Sequence, residues 1–199
     1  MRTNSKHITD IHPHNARLGP LQELAGEIGA EERTLRRAVS QGTLHARRTG
    51  PRRLRLAAGE REYLRTHWPL LSDLRRALRT QTNVRLAVLY GSLARGDEDA
   101  GSDLDLLLCC ANDDLSKAGL VASLRSTTDR RIDLAYLSRV EGSAPLLLER
   151  ILDEGRVLAD RDEQWEALRA RQAAIRARAW RAHRRQMISV ADTIAELTA

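Results

Sequence analysis

The sequence predicts a mixed α/β (α+β) fold, a mixed sheet with flanking helices behind a small N-terminal helical unit. Three observations predict it. Short valine- and leucine-rich runs at 84–90, 103–110 and 131–137 alternate with segments of helical period. Two of these runs carry acids among their apolar residues, Asp103, Asp105 and Asp133, which is unusual for strands buried on both faces. Upstream, residues 21–39 keep a helical period and 42–56 turn to short, arginine-rich alternation.

Composition sets the bounds. A chain of 199 residues holds one ordinary domain or two small ones. With 42% hydrophobic, 30% charged and 3% aromatic residues and no Phe, its core must be aliphatic. The longest apolar stretches, such as 106–111, fall far short of the roughly 18 residues a membrane span needs, and the N-terminus is polar, so a cytoplasmic location without membrane contact is expected. Cys109 and Cys110 are adjacent, cannot form an ordinary disulfide with each other and read as strand-end packing. The net charge is +6, and apart from Lys6 and Lys117 its cations are arginines, whose forks suit phosphates and carboxylates.

Residues 1–18, with His7, His12 and His14 but no apolar period, read as a flexible arm. A first domain spans 19–68. Leu21, Leu24, Ala25 and Ile28 form one helical stripe, Gly29 breaks it, and Leu35, Ala38 and Val39 resume it on a second helix. This spacing resembles a helix-turn-helix, with Arg33, Thr34, Arg36 and Arg37 on the recognition surface. Residues 42–56 then read as two strands about a Gly50-Pro51 turn, a basic wing presenting Arg47, Arg48, Arg52, Arg53 and Arg55 to phosphates. The pattern resembles the winged modules of MerR-like and excisionase-like regulators. That resemblance implies DNA binding at an operator, and such modules often act as homodimers. A helix at 60–67 closes the unit, and Trp68-Pro69 is the expected hinge.

The second domain spans 69–160. It reads as a helix at 70–79, a strand at 84–90, a Gly-Ser turn opening a short helix, a strand at 103–110, a helix near 115–126, a strand at 131–137 and a helix at 145–153. Residues 161–199 form a C-terminal tail built as one long helix from about 163 to 197. Its arginines, among them Arg169, Arg176 and Arg184, face water while it covers the sheet, dock an acidic partner, or form a basic wall. The acids Asp97, Glu98 and Asp99 read as a solvated loop.

The chemistry is concentrated in 89–108. Gly91 lets backbone approach a triphosphate closely, and Ser92 opens a helix with a hydroxyl and free N–H groups. Asp103 and Asp105, two apart on a strand, project to one face while Leu104 and Leu106 project to the other. Carboxylates so close repel, and a hard divalent cation that keeps substrate phosphate oxygens as ligands resolves the repulsion. Asp133, between Ile132 and Leu134, supplies a third acid from a neighbouring strand, in keeping with two-metal in-line displacement.

These residues resemble the signature of the DNA polymerase β-like nucleotidyltransferase superfamily: Gly-Ser, a gap, Asp-x-Asp and a later strand aspartate. The wording Gly-Ser-Leu-Ala-Arg-Gly at 91–96 and the small size resemble its minimal nucleotidyltransferases, over roughly 70–158. The resemblance implies Gly91 and Ser92 on the nucleotide phosphates, Asp103, Asp105 and Asp133 as catalytic residues and ligands of two Mg2+ ions, and Arg95 as a phosphate or acceptor contact. Small members of this kind are often antitoxins that move AMP from ATP to a tyrosine of a HEPN-type toxin. A winged module departs from the simplest members. Two other readings remain: nucleotidyl transfer to a small hydroxylated molecule, as in aminoglycoside-modifying relatives, and a non-catalytic nucleotide-sensing transcriptional regulator.

Overall fold

The structure, a computed structural model, describes residues 20–50, 53–111 and 117–198. The N-terminal arm, the Pro51 turn residue and Arg52 lie outside the described residues. Two short helices come first, α1 (Pro20–Glu27) and α2 (Glu32–Ser40), which bury Leu21, Leu24 and Ala25 against Leu35 and Ala38. Gly29 between them has φ +65°, the left-handed conformation glycine tolerates best. A hairpin follows, β1 (Ala46–Arg48) antiparallel to β2 (Leu54–Leu56), with Arg47 opposite Arg55 and both exposed.

The expected hinge at Trp68-Pro69 is absent. A single helix, α3 (Glu60–Thr80), runs through Pro69. It buries Tyr63, Leu64, Trp68, Leu71, Leu74 and Leu78 in one core with α1, α2 and the sheet. Proline removes one helical hydrogen bond, a loss of about 3 kcal/mol, but the apolar stripe on both sides of it is seated in the same core and holds the helix together.

The sheet has four strands in the order β5-β4-β3-β6. Strand β3 (Val84–Tyr90) pairs antiparallel with β4 (Leu104–Cys110) and with β6 (Arg156–Asp160), whereas β4 pairs parallel with β5 (Ile132–Tyr136). The fourth strand, β6, was not expected. The pleat divides the apolar residues: Ala87, Leu89, Leu104, Leu106 and Leu108 face α3 and α5 (Lys117–Arg125), while Leu86, Val88 and Leu107 face the other layer. That other layer is α6 (Leu137–Ser143), also unforeseen, and α7 (Pro145–Glu154), followed by α8 (Gln164–Ala170). The expected long C-terminal helix is broken at Arg171 into α8 and α9 (Gln172–Thr198), and α9 packs on α7. Between β3 and β4 lies the five-residue α4 (Gly91–Arg95).

A buried ion pair, not anticipated from the sequence, ties the N-terminal elements to the sheet. Arg156 of β6 donates to both carboxylate oxygens of Glu60 at 2.7 and 3.0 Å, with side-chain exposures of 4% and 3%. The same guanidinium lies 3.5 Å above the Tyr63 ring and donates to the carbonyls of Ala94 and Thr43. Thr43 in turn donates its hydroxyl to the Val157 carbonyl at 2.5 Å.

Candidate active site

Alternation along β4 puts Leu104, Leu106 and Leu108 in one core, so Asp105 emerges on the opposite face with Leu107. On β5, Ile132 and Leu134 pack towards the first core, which turns Asp133 to the same face as Asp105. The parallel register sets Asp105 directly opposite Asp133. One carboxylate is half-buried and the other, on the edge strand β5, is exposed.

Burial first, then the charges of Asp133 and Asp103, raise the Asp105 pKa above the usual aspartate value; Arg95 and Arg131 oppose the rise. Tyr90, paired with Asp105 across β3 and β4, has its hydroxyl pushed up to about 12 by burial and by the two aspartates. Tyr90 was not singled out from the sequence, since only the strand register brings it beside the acids.

Gly91 closes the site from below. It has φ +76°, and a Cβ there would collide with Asp105 Oδ2. Both the backbone conformation and the close approach therefore require glycine. Ser92 is half-buried in the first turn of α4, and its carbonyl accepts the N–H groups of Gly96 and Asp97 at 2.8 and 3.2 Å, which folds the turn tightly.

The remaining expected residues are placed differently. Asp103 is held by the Arg131 fork: Nε donates to Oδ1 at 2.9 Å and Nη2 donates to Oδ2, and this pairing keeps its carboxyl below the ordinary range. Arg95 pairs with Asp97 at 3.0 Å and with Glu154 at 3.0 Å. Among the described residues, no group of three His, Cys, Asp or Glu side chains stands preassembled to hold a metal ion. Glu98 corrects the solvated-loop reading of its segment, because it is largely buried and accepts a 2.7 Å hydrogen bond from His67 Nε2. Tyr63 donates its hydroxyl to the Leu93 carbonyl, so α3 grips α4 and the loop after it from below. The turn before β4 is set by Asp99, which accepts from the Gly101 N–H and the Ser102 hydroxyl, and by Arg130, which donates to the Asp99 and Ser102 carbonyls.

The residues expected to meet DNA separate into groups. Arg36 pairs with Glu32 at 2.5 Å on α2, and Arg47, Arg48 and Arg53 are exposed on or beside the hairpin. Arg33, Thr34 and Arg37 instead border a cleft against α3 and β6.

A Gly-Ser turn set against paired strand aspartates coincides with a family match. Residues 72–164 match the family described as polymerase beta, nucleotidyltransferase. The matched segment is just under half of the chain, and it supports a nucleotidyltransferase. The match begins within α3 and ends at the start of α8, so it takes in β6, beyond the 70–158 expected from the motif wording.

Among solved structures, a chain of a toxin-antitoxin complex with AMP-PNP is 21% identical, covering 61% of this chain and 97% of that one, with a TM-score of 0.48. A chain of the tri-AMPylated Shewanella oneidensis HEPN toxin in complex with MNT antitoxin is 19% identical, covering 63% and 98%, with a TM-score of 0.46. A chain of the toxin-antitoxin MntA-HepT is 19% identical, covering 61% and 96%, with a TM-score of 0.44. No curated protein sequence matches the chain. Among the described residues, no helix is long and apolar enough to cross a membrane.

Proposed function

We propose that this nucleotidyltransferase moves AMP from ATP to a hydroxyl of a partner protein, as the antitoxin of a toxin-antitoxin pair with a HEPN-like toxin. What carries the reading is the pairing of Asp105 with Asp133 across the register, with the Gly91 backbone pressed against the Asp105 carboxylate. Two carboxylates set opposite each other across adjacent strands, one of them with its proton affinity raised by burial and by its neighbours' charge, are a donor set suited to hard divalent cations, so the residues fit Mg2+. Asp105 and Asp133 would hold it, joined by Asp103 once that side chain leaves Arg131. Bound Mg2+, as two ions, supplies charge neutralisation on the triphosphate and a more acidic attacking hydroxyl.

The chain's own residues do the rest. The Gly91 backbone and the Ser92 hydroxyl orient the phosphates of the donor. Asp133 Oδ, exposed on the edge strand, receives the proton of the attacking hydroxyl. The acceptor oxygen bonds to the α-phosphorus, the bond from that phosphorus to its bridging oxygen breaks, and pyrophosphate leaves.

The exposure of Asp133 on the edge strand favours a macromolecular acceptor over a small one. A small hydroxylated substrate needs an enclosing pocket, whereas a protein brings its own walls. The N-terminal unit is read as a winged helix-turn-helix that binds the operator of the pair, supported by the exposed arginines of the hairpin and by Arg36.

The test is incubation of the chain with Mg2+, ATP and the protein encoded beside it, followed by intact-mass analysis. The expected outcome is a gain of one or more AMP units on the neighbour, absent in Asp105→Asn. Absence of transfer with each of the four nucleoside triphosphates would contradict it and favour a nucleotide-sensing regulator.

A further inference from the structure

A concentration of unopposed positive charge lies away from the carboxylates. A cavity of about 540 Å3 opens between α2, α3 and the end of β6. Its walls carry five guanidinium groups, Arg33 and Arg37 from α2, Arg75 and Arg79 from α3, and Arg161 just after β6. Two acids share the lining, Glu31 and Asp160. Asp160 is already engaged, since its oxygens accept the N–H groups of Asp162, Gln164 and Trp165 and cap the start of α8.

None of the five arginines has a carboxylate partner within ion-pair distance in the described structure. Arg161 donates only to backbone carbonyls, those of Val84, Leu78 and Arg79. Arg75 donates Nη2 to Gln41 Oε1 at 2.5 Å, while its Nη1 is buried with no acceptor at all. Burial, followed by the charges of Arg79 and Arg37, pushes the Arg75 guanidinium pKa down. A buried N–H without an acceptor, in a wall of like charges, is a site whose missing component is an anion.

We propose that this cleft is a second binding site, for a polyphosphate chain, either free or carried by a nucleotide. Its volume falls in the ordinary range for a small ligand. A phosphate chain offers many acceptor oxygens to guanidinium forks converging from three elements. The concave shape disfavours duplex DNA at this face, because reading a major groove requires a helix that protrudes. The cleft is also separate from the carboxylates. Residues 159–161 lie beside residues 85–87 of β3, whereas Gly91 and Asp105 sit at its Tyr90 end, roughly 10–17 Å further along at ~3.3 Å per residue. Bound there, an anion would join α2 to the nucleotidyltransferase sheet, and so couple the N-terminal unit to the ligand state of the cleft.

The inference does not rest on the proposed transfer reaction, and its test uses no divalent cation. Inorganic tripolyphosphate is titrated into the full chain in EDTA and followed by calorimetry. The expected result is saturable one-to-one binding that weakens about 10-fold or more in Arg75→Met and in the double variant Arg37→Gln, Arg79→Gln, and is unchanged in Asp105→Asn. Arg37 and Arg79 are exposed, so the double variant tests the site even where Arg75→Met folds poorly. ATP binding more tightly than tripolyphosphate identifies the nucleotide as the source, and equal affinity identifies the phosphate chain alone. No saturable binding, affinity indifferent to these arginines, loss in Asp105→Asn instead, or binding of a short DNA duplex but not tripolyphosphate would each overturn the proposal.

Discussion

Asp105 sits on β4 with Leu107 on its own face, Asp133 across the register and Gly91 against its carboxylate. Its folded-state pKa is raised, so the folded chain holds that proton more tightly than the unfolded chain does. Stability from this group is therefore greatest at low pH and declines as pH rises from the ordinary aspartate range through the raised value. At neutral pH the penalty is fully present. Asp105→Asn is accordingly expected to melt a few degrees higher than the parent at pH 7, with the advantage shrinking as pH falls below the carboxylate range, and to lose transfer. Thermal unfolding at several pH values checks this, and a variant that melts lower at pH 7 would show that the charge is already compensated. The two aspartates were legible in the sequence because period-two alternation fixes which face a strand residue takes. The grip of Arg131 on Asp103 and the position of Tyr90 were not, because each depends on which strands become neighbours.

At the scale of elements, α3 matters most to the site. It runs under α4, where Tyr63 holds the Leu93 carbonyl and His67 holds Glu98, and it supplies Glu60 to the buried pair with Arg156. Removing one partner of such a pair leaves an uncompensated buried charge, which costs about 3–5 kcal/mol. Glu60→Gln is expected to lose about that much in chemical denaturation, while Glu60→Leu combined with Arg156→Met recovers most of it. If Glu60→Gln costs less than about 1 kcal/mol, the pair is not what joins these elements. The sequence misled at Pro69, where local propensity suggested a hinge and the shared apolar core imposed a continuous helix. Strand β6 was illegible for a related reason. Its five residues begin with arginine and end with aspartate, and only pairing with β3 and the Glu60 carboxylate makes that sequence a strand.

For the whole molecule, the core containing Leu24 and Leu35 of the helical hairpin also contains Leu89 and Leu106 of the sheet. The boundary expected near residue 69 thus falls inside α3, which packs with both halves. This union places an arginine-lined cleft at one end of β3 and the paired aspartates at the other. The proposed transfer belongs to the second end, and its chemistry can be read from where a label goes. The chain and its acceptor are incubated with Mg2+ and ATP labelled either at the α- or at the γ-phosphorus, and protein-bound label is measured. Nucleotidyl transfer predicts retention of the α label, none of the γ label, and loss of the signal in Asp105→Asn and Asp133→Asn; retention of the γ label, or α labelling that survives both substitutions, would contradict it.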